Sequence, residues 1–213
     1  NEDGQLDNEK CIRCNTCVEN CPADILEIKN TTAEDFNIFE EADLDYYHKD
    51  NIKAEIEKIE DLSGNIKEFS FRLLEPPHID VEAGQFILVK VSDKHHMYRA
   101  YSISGIEDDG SLIKVTVMRI TDGYGSSIIF SDFKTGQQIE LKGPMGHELI
   151  VDKDTKDVML VGGGIGITPF IPIVEDIVHN ENHIKNVKLV YGVNEEDQFL
   201  YRDFFEEMEA ESD

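Results

Sequence analysis

The stretch that most constrains this chain is Asp157-Val158-Met159-Leu160-Val161 together with the glycine-rich turn after it. Those five residues are mostly apolar, the pattern of a strand buried on both faces in a parallel sheet. They run directly into Gly162-Gly163-Gly164-Ile165-Gly166-Ile167-Thr168-Pro169, and Phe170 to Val178 is then apolar at helical spacing. Strand, glycine loop and helix together make a seat for a dinucleotide pyrophosphate at a helix N-terminus. The match to the strict G-x-G-x-x-G fingerprint fails at its third position, which is Ile167. Val187 to Val193 reads as the next parallel strand, and Phe199 to Met208 as a helix.

Upstream the period is different. Lys53 to Ile59 alternates, Asp61-Leu62-Ser63-Gly64-Asn65 is a turn, and Phe69 to Leu73 alternates again. Gly84 to Val91, the strand around Arg99, Leu112 to Ile120, and Ile139 to Leu141 continue the series. Strands at this spacing with turn signals between them predict an antiparallel barrel. The fourth strand contains Arg99-Ala100-Tyr101-Ser102-Ile103-Ser104. Alternation puts Arg99 and Tyr101 on one side and Ala100 and Ser102 on the other. A guanidinium fork, a flat ring with a polar tip and a small hydroxyl suit a planar, phosphate-bearing cofactor; alone, the same residues describe a strand end with a surface Arg and a half-buried Tyr. Asp122-Gly123-Tyr124-Gly125-Ser126-Ser127 then permits close backbone approach, with a short helix starting at the serines. That arrangement presents free N–H groups to an anion, and it is also an ordinary glycine turn with a serine cap.

All four cysteines lie between positions 11 and 21, so nothing later in the chain can pair with them. Clustering of this kind points to a metal centre in a reducing, cytoplasmic compartment rather than to a disulfide framework. Cys11, Cys14, Cys17 and Cys21-Pro22 form the C-x2-C-x2-C-x3-C-P run of bacterial-type ferredoxins, with zinc as the rival ligand. In two-cluster ferredoxins the fourth cysteine serves the other cluster. Cys21 therefore either completes a single 4Fe-4S cluster or reaches toward a second one whose own run lies upstream. Formal net charge is -25, which argues against nucleic-acid backbone and against an anionic membrane surface. No apolar run has the length of a membrane span.

Taken in order, Arg99-x-Tyr101-Ser102, the Gly123–Ser126 loop, Gly143-Pro144-Met145-Gly146 and Gly164-x-Gly166-Ile167-Thr168-Pro169 resemble the motifs of the ferredoxin–NADP reductase family. The resemblance covers nearly the whole chain and adds a 4Fe-4S segment in front. It implies that Arg99, Ala100, Tyr101 and Ser102 bind FAD, with Tyr101 packing on the ring and Ser102 hydrogen-bonding near its reactive nitrogen. Arg119, Gly125, Ser126 and Ser127 would complete the flavin site, Ser126 as the phosphate serine. Gly162, Gly164, Gly166, Ile167, Thr168 and Pro169 would present a nicotinamide nucleotide.

The expected architecture is multi-domain α+β. A ferredoxin-like segment spans 1–30, an acidic linker 31–50, a six-stranded antiparallel flavin barrel 51–152 and a partial parallel α/β nicotinamide domain 153–213. The family's later strands and its Cys-Gly-Pro motif do not follow, and the chain begins with Asn1, so truncation at both ends is expected. The loop Asn194-Glu195-Glu196-Asp197 would repel a 2′-phosphate and accept from ribose hydroxyls, which favours NAD over NADP. The implied activity is an oxidoreductase passing electrons between NAD(P)H, FAD and a 4Fe-4S centre, to or from a redox protein partner or subunit. A non-catalytic FAD/4Fe-4S relay subunit is the alternative.

Overall fold

The computed structural model describes residues 51–92, 97–152, 154–180 and 184–212. The cysteine run and the 31–50 segment lie outside the described residues.

Six strands close into a barrel: β1 (Asn51–Ser63), β2 (Ile66–Glu75), β3 (Phe86–Ser92), β4 (Met97–Glu107), β5 (Leu112–Met118) and β6 (Gln138–Met145), in the order β1-β2-β5-β4-β3-β6. The ladders β1–β2, β2–β5, β5–β4, β3–β6 and β6–β1 are antiparallel. This is the barrel that period-two patterning predicts. On β3, Ile87, Val89 and Val91 are buried while Phe86, Leu88 and Lys90 are not, the two-residue repeat of a strand with one face on a core. Ala54, Ile56, Phe69, Phe71, Ile113, Val115 and Leu141 fill the interior with them. β5 ends at Met118, so Arg119 lies beyond the strand, its N–H donating to Asn65 O at 2.7 Å.

One close approach shapes the entry to β3. Gly84 has φ +96°, and a Cβ there would sit 2.8 Å from Leu149 O. Only glycine meets both conditions before β3. Helix α1 (Tyr124–Asp132) leaves β5 and covers one part of the wall. It is fixed by buried Ile129 and by Phe133, whose ring meets Phe69 edge-on at 6.0 Å.

The chain then changes to a parallel α/β arrangement, as expected. β7 (Asp157–Gly163) and β8 (Asn186–Gly192) pair in parallel, in register from Asp157↔Asn186 to Gly163↔Gly192. But β7 is not buried on both faces: Leu160 enters the core while Met159 and Val161 are 62% and 65% exposed. Between them, a 3-10 turn (Gly164–Ile167) leads into α2 (Phe170–His179). Pro169 and Pro172 fall at the start of α2, where a missing N–H costs nothing. Helix α3 (Arg202–Ser212) begins three residues later than the apolar spacing predicts. Phe199, Leu200 and Tyr201 are not helical: Leu200 is buried in the core and Tyr201 takes φ +57°.

Barrel and parallel half belong to one compact unit. Their shared core explains why. Leu160, Ile167, Phe170, Ile173, Ile177, Leu200 and Met208 cluster with Ile66 of β2, and Leu62 and Met118 of the barrel pack against them. No helix among the described residues is long and apolar enough to cross a membrane.

Candidate functional site

A cleft of about 510 Å³ opens where three elements converge: residues 99–102 of β4, the start of α1, and the turn after β7. Arg99, Ala100, Tyr101 and Ser102 all border it. Simple alternation places them on opposite faces of the strand, yet all four reach this cleft. Ala100 is exposed and the other three half-buried, and the β4–β5 register shifts between Ile103 and Gly105. The cleft thus takes in consecutive residues of the strand, just before that irregularity.

Arg99 is the only charged side chain among the described lining residues. Its Nη1 donates to Tyr98 O at 2.8 Å, and its stem crosses the start of α1 so closely that a Cβ on Gly125 would lie 3.1 Å from Cγ and from Nε. Gly125 is therefore the residue that lets the guanidinium reach the α1 N-terminus. There the N–H groups of the first turn have no carbonyl behind them. A cation and a positive helix end together favour an anion. Burial pushes the Tyr101 phenol up to about 12, with the Arg99 charge offsetting part of the effect, so its hydroxyl stays neutral near pH 7.

The α1 loop differs from the sequence reading in one respect. The helix starts at Tyr124, two residues before the serines, with Gly123 as its N-cap. Ser126 Oγ is turned into the loop: it accepts from Ile120 N at 3.1 Å and donates to Gly123 O at 3.4 Å. Ser126 thus closes the turn with its hydroxyl and offers a ligand its main-chain N–H. Ser127 lies one residue further into the helix, its N–H donating to Gly123 O at 3.0 Å.

Opposite, Ile165, Gly166, Thr168 and Pro169 form the other wall. Nothing lies within 4 Å of where a Cβ on Gly166 would stand, so a side chain there would project into open space beside the cleft. Thr168 Oγ1 donates to Ile165 O at 3.1 Å and stiffens the turn. Other predicted residues stand behind the wall. Gly162 has no side chain to keep the Phe170 ring away, Gly164 supplies φ +51° in the turn, and Ile167 is fully buried. Arg119 is exposed and does not line the cleft. Sequence reasoning missed Thr116, Met118, Ile120 and Tyr124, which do. Ile120 and Tyr124 are each 50% exposed; two large apolar residues in a glycine-rich turn were the signal that could have found them.

The acidic loop expected to read a ribose follows β8 directly. In a parallel pair it shares the edge with the glycine turn, since Gly163 and Gly192 are partners at the strand ends. Asn194, Glu195 and Glu196 are exposed there.

These residues fit a flavin and a nicotinamide nucleotide. The cleft has a cationic helix start for a pyrophosphate, apolar rims for planar rings, and a glycine wall that a Cβ would fill.

Family models agree with this arrangement. An oxidoreductase FAD-binding domain matches residues 53–149, an oxidoreductase NAD-binding domain residues 160–213, and a 4Fe-4S binding domain residues 5–27. NADH-cytochrome b5 reductase 2 of Lodderomyces elongisporus is 27% identical over 75% of this chain and 54% of its own length. The electron transfer subunit of dihydroorotate dehydrogenase B (NAD(+)) from Fusobacterium nucleatum is 32% identical over 57% of this chain and 46% of its own. Among solved structures, the Amycolatopsis cytochrome P450 reductase GcoB superposes with a TM-score of 0.69 at 22% identity, covering 76% of this chain and 49% of that one. The chain spans about half the length of the curated relatives it matches, or less.

Proposed function

We propose that this chain, which belongs to the ferredoxin–NADP reductase family of FAD- and NAD-binding oxidoreductases, passes electrons between NAD(P)H, FAD and a 4Fe-4S centre, to or from a redox protein partner or subunit. The observation that carries the reading is the cleft, whose walls come from the two predicted motif regions, 99–102 with the α1 start on one side and 165–169 on the other.

In this reading the division of labour follows the expected segments: 1–30 holds the cluster through Cys11, Cys14, Cys17 and Cys21, 51–152 holds FAD, and 153–213 presents the nicotinamide. Arg99 and the N–H groups at residues 124–126 hold the pyrophosphate. Tyr101 packs against the ring and Ser102 offers a hydrogen bond at its edge. Gly166, Thr168 and Pro169 keep the opposite wall low enough for a nicotinamide to enter. Bound there, a flavin supplies the exchange between two-electron and one-electron chemistry that a nicotinamide and a cluster need. The acidic 194–197 loop supports NAD over NADP, and four clustered cysteines support a reducing, cytoplasmic compartment.

The similarity to a protein named as an electron transfer subunit favours a second reading, a relay that does not itself react with NADH. An anaerobic titration with NADH, followed by visible absorption, separates the two. Loss of the flavin bands and then of the broad iron–sulfur absorption supports the first. Bleaching by dithionite but not by NADH supports the relay. Absence of flavin from the purified protein refutes both.

A further inference from the structure

Behind the cleft wall lies a chain of polar groups that no predicted motif includes. Tyr201 Oη donates to Glu68 Oε2 of β2 at 2.8 Å and lies 2.5 Å from Thr116 Oγ1 of β5. Thr116 Oγ1 is 3.2 Å from Ser104 Oγ of β4. Thr116 and Ser104 are buried, and Thr116 also lines the cleft. One hydroxyl from the parallel half thus engages two strands of the barrel and connects to a third. With one proton on each hydroxyl, the chain can run toward an ionised Glu68 or away from a protonated one.

The segment that delivers Tyr201 is fixed from the other side as well. Tyr191 of β8 donates from its hydroxyl to Gln198 O at 3.2 Å and accepts from Leu200 N at 3.4 Å. Its ring lies 4.9 Å from that of Phe199. The turn between β8 and α3 is therefore strapped to β8 by Tyr191 and to the barrel by Tyr201. Tyr201 does this from a left-handed backbone, which a bulky residue rarely adopts. Its carbonyl nevertheless opens α3, accepting from Phe205 N at 3.1 Å. A strained residue whose side chain crosses to another layer is held there by what it contacts.

We propose that Tyr201 is a positioning residue: its hydroxyl, set between Glu68 and Thr116, fixes the nucleotide-binding half against the barrel wall that lines the cleft. The consequence for electron transfer rests on the cleft being the flavin and nicotinamide site; the anchor itself does not. A shift of the glycine wall relative to 99–102 changes how closely two reactants approach, and misplacement of about 1 Å costs on the order of a hundredfold in rate.

The test uses the full chain with its flavin. Tyr201→Phe keeps the ring and removes the hydroxyl, whereas Glu68→Gln keeps an acceptor for it. In Tyr201→Phe, amide hydrogen exchange in 199–208 should rise about tenfold, with 112–118 as protected as in the unsubstituted protein. The limiting rate of flavin reduction by NADH should fall at least about tenfold with KM little changed, while dithionite reduces both proteins alike. Glu68→Gln should resemble the unsubstituted protein in both readouts. Unchanged exchange in Tyr201→Phe, raised exchange with an unchanged reduction rate, or equal losses in Tyr201→Phe and Glu68→Gln would each overturn the proposal. If NADH reduces neither protein but the exchange contrast appears, the anchor stands and the nicotinamide reading of the cleft falls.

Discussion

Arg99 and Gly125 act as a pair. The guanidinium reaches the α1 start only because residue 125 has no Cβ, which would stand 3.1 Å from its stem. If Arg99 holds the flavin phosphate as proposed, Arg99→Ala removes charge-assisted hydrogen bonds worth about 1.5–3 kcal/mol, and FAD should bind roughly ten- to a hundredfold more weakly. Gly125→Ala keeps the charge but displaces it, and a smaller loss, about tenfold, is expected. Titration of apoprotein with FAD, followed by flavin fluorescence, measures both; equal affinities across the three proteins would remove Arg99 from the site. Glu68 carries a different prediction. Burial raises its carboxyl above 4.5, only partly offset by the Tyr201 hydrogen bond, with Lys114, Glu60 and Lys58 as the other charges acting on it. As pH climbs past 4.5 the unfolded chain ionises first, so this group's contribution to stability is present below that value and is lost as pH rises through the folded one. Urea melts between about pH 4 and pH 7 should show the difference between Glu68→Gln and the unsubstituted protein changing in the variant's favour with rising pH. A pH-independent difference would contradict the burial.

At the scale of elements, what was legible in the sequence was what local pattern encodes. β3 shows its alternation residue by residue, and α2 shows its apolar face in Phe170, Ile173, Val174 and Ile177, all buried. The glycine turn was legible because strand, turn and helix adjoin in the chain. Contacts between distant segments were not. Glu68 and Tyr201 are 133 residues apart, and nothing local marks either as a partner of the other. The start of α3 was misplaced because Phe199 to Tyr201 look like the apolar stripe of a helix; in the structure Leu200 enters the core and Tyr201 crosses to the barrel. The resemblance makes Ser126 the phosphate serine, but its hydroxyl direction depends on the Ile120 N–H, which only the folded turn brings near. The shared core predicts how the elements unfold. Ile173 is 2% exposed in a cluster that includes Ile66 of the barrel. Ile173→Ala should cost about 2–5 kcal/mol. Because barrel and parallel half share the cluster, the urea midpoint should fall for both together, with the slope unchanged. Two separated transitions would show that the halves unfold independently.

On the scale of the whole molecule, the charge and the cysteines bear on the partner. A net charge of -25 makes the surface field strongly negative, which favours encounter with a basic surface and weakens as salt shortens the screening length to about 10 Å at 0.1 M. The described cleft has one cation and no other charged lining residue, so this field acts on docking more than on the site's own chemistry. Oxidation of the pre-reduced protein, freed of excess dithionite, by a basic one-electron acceptor protein should therefore slow several-fold as salt rises from about 0.05 to 0.3 M. Ferricyanide, itself an anion, should show the opposite trend. The cysteine run is separable from the cleft in sequence, and the FAD- and NAD-binding matches begin only at residue 53. Cys14→Ser should then lower iron and acid-labile sulfide while flavin content stays at that of the unsubstituted protein. Under the reductase reading its flavin absorption should still bleach with NADH, and reduction of the acceptor protein should fall if the cluster is the exit for electrons. Full retention of acceptor reduction in that variant would place the exit at the flavin cleft, whose rim at Ile120 and Tyr124 is the exposed apolar surface a partner would then cover.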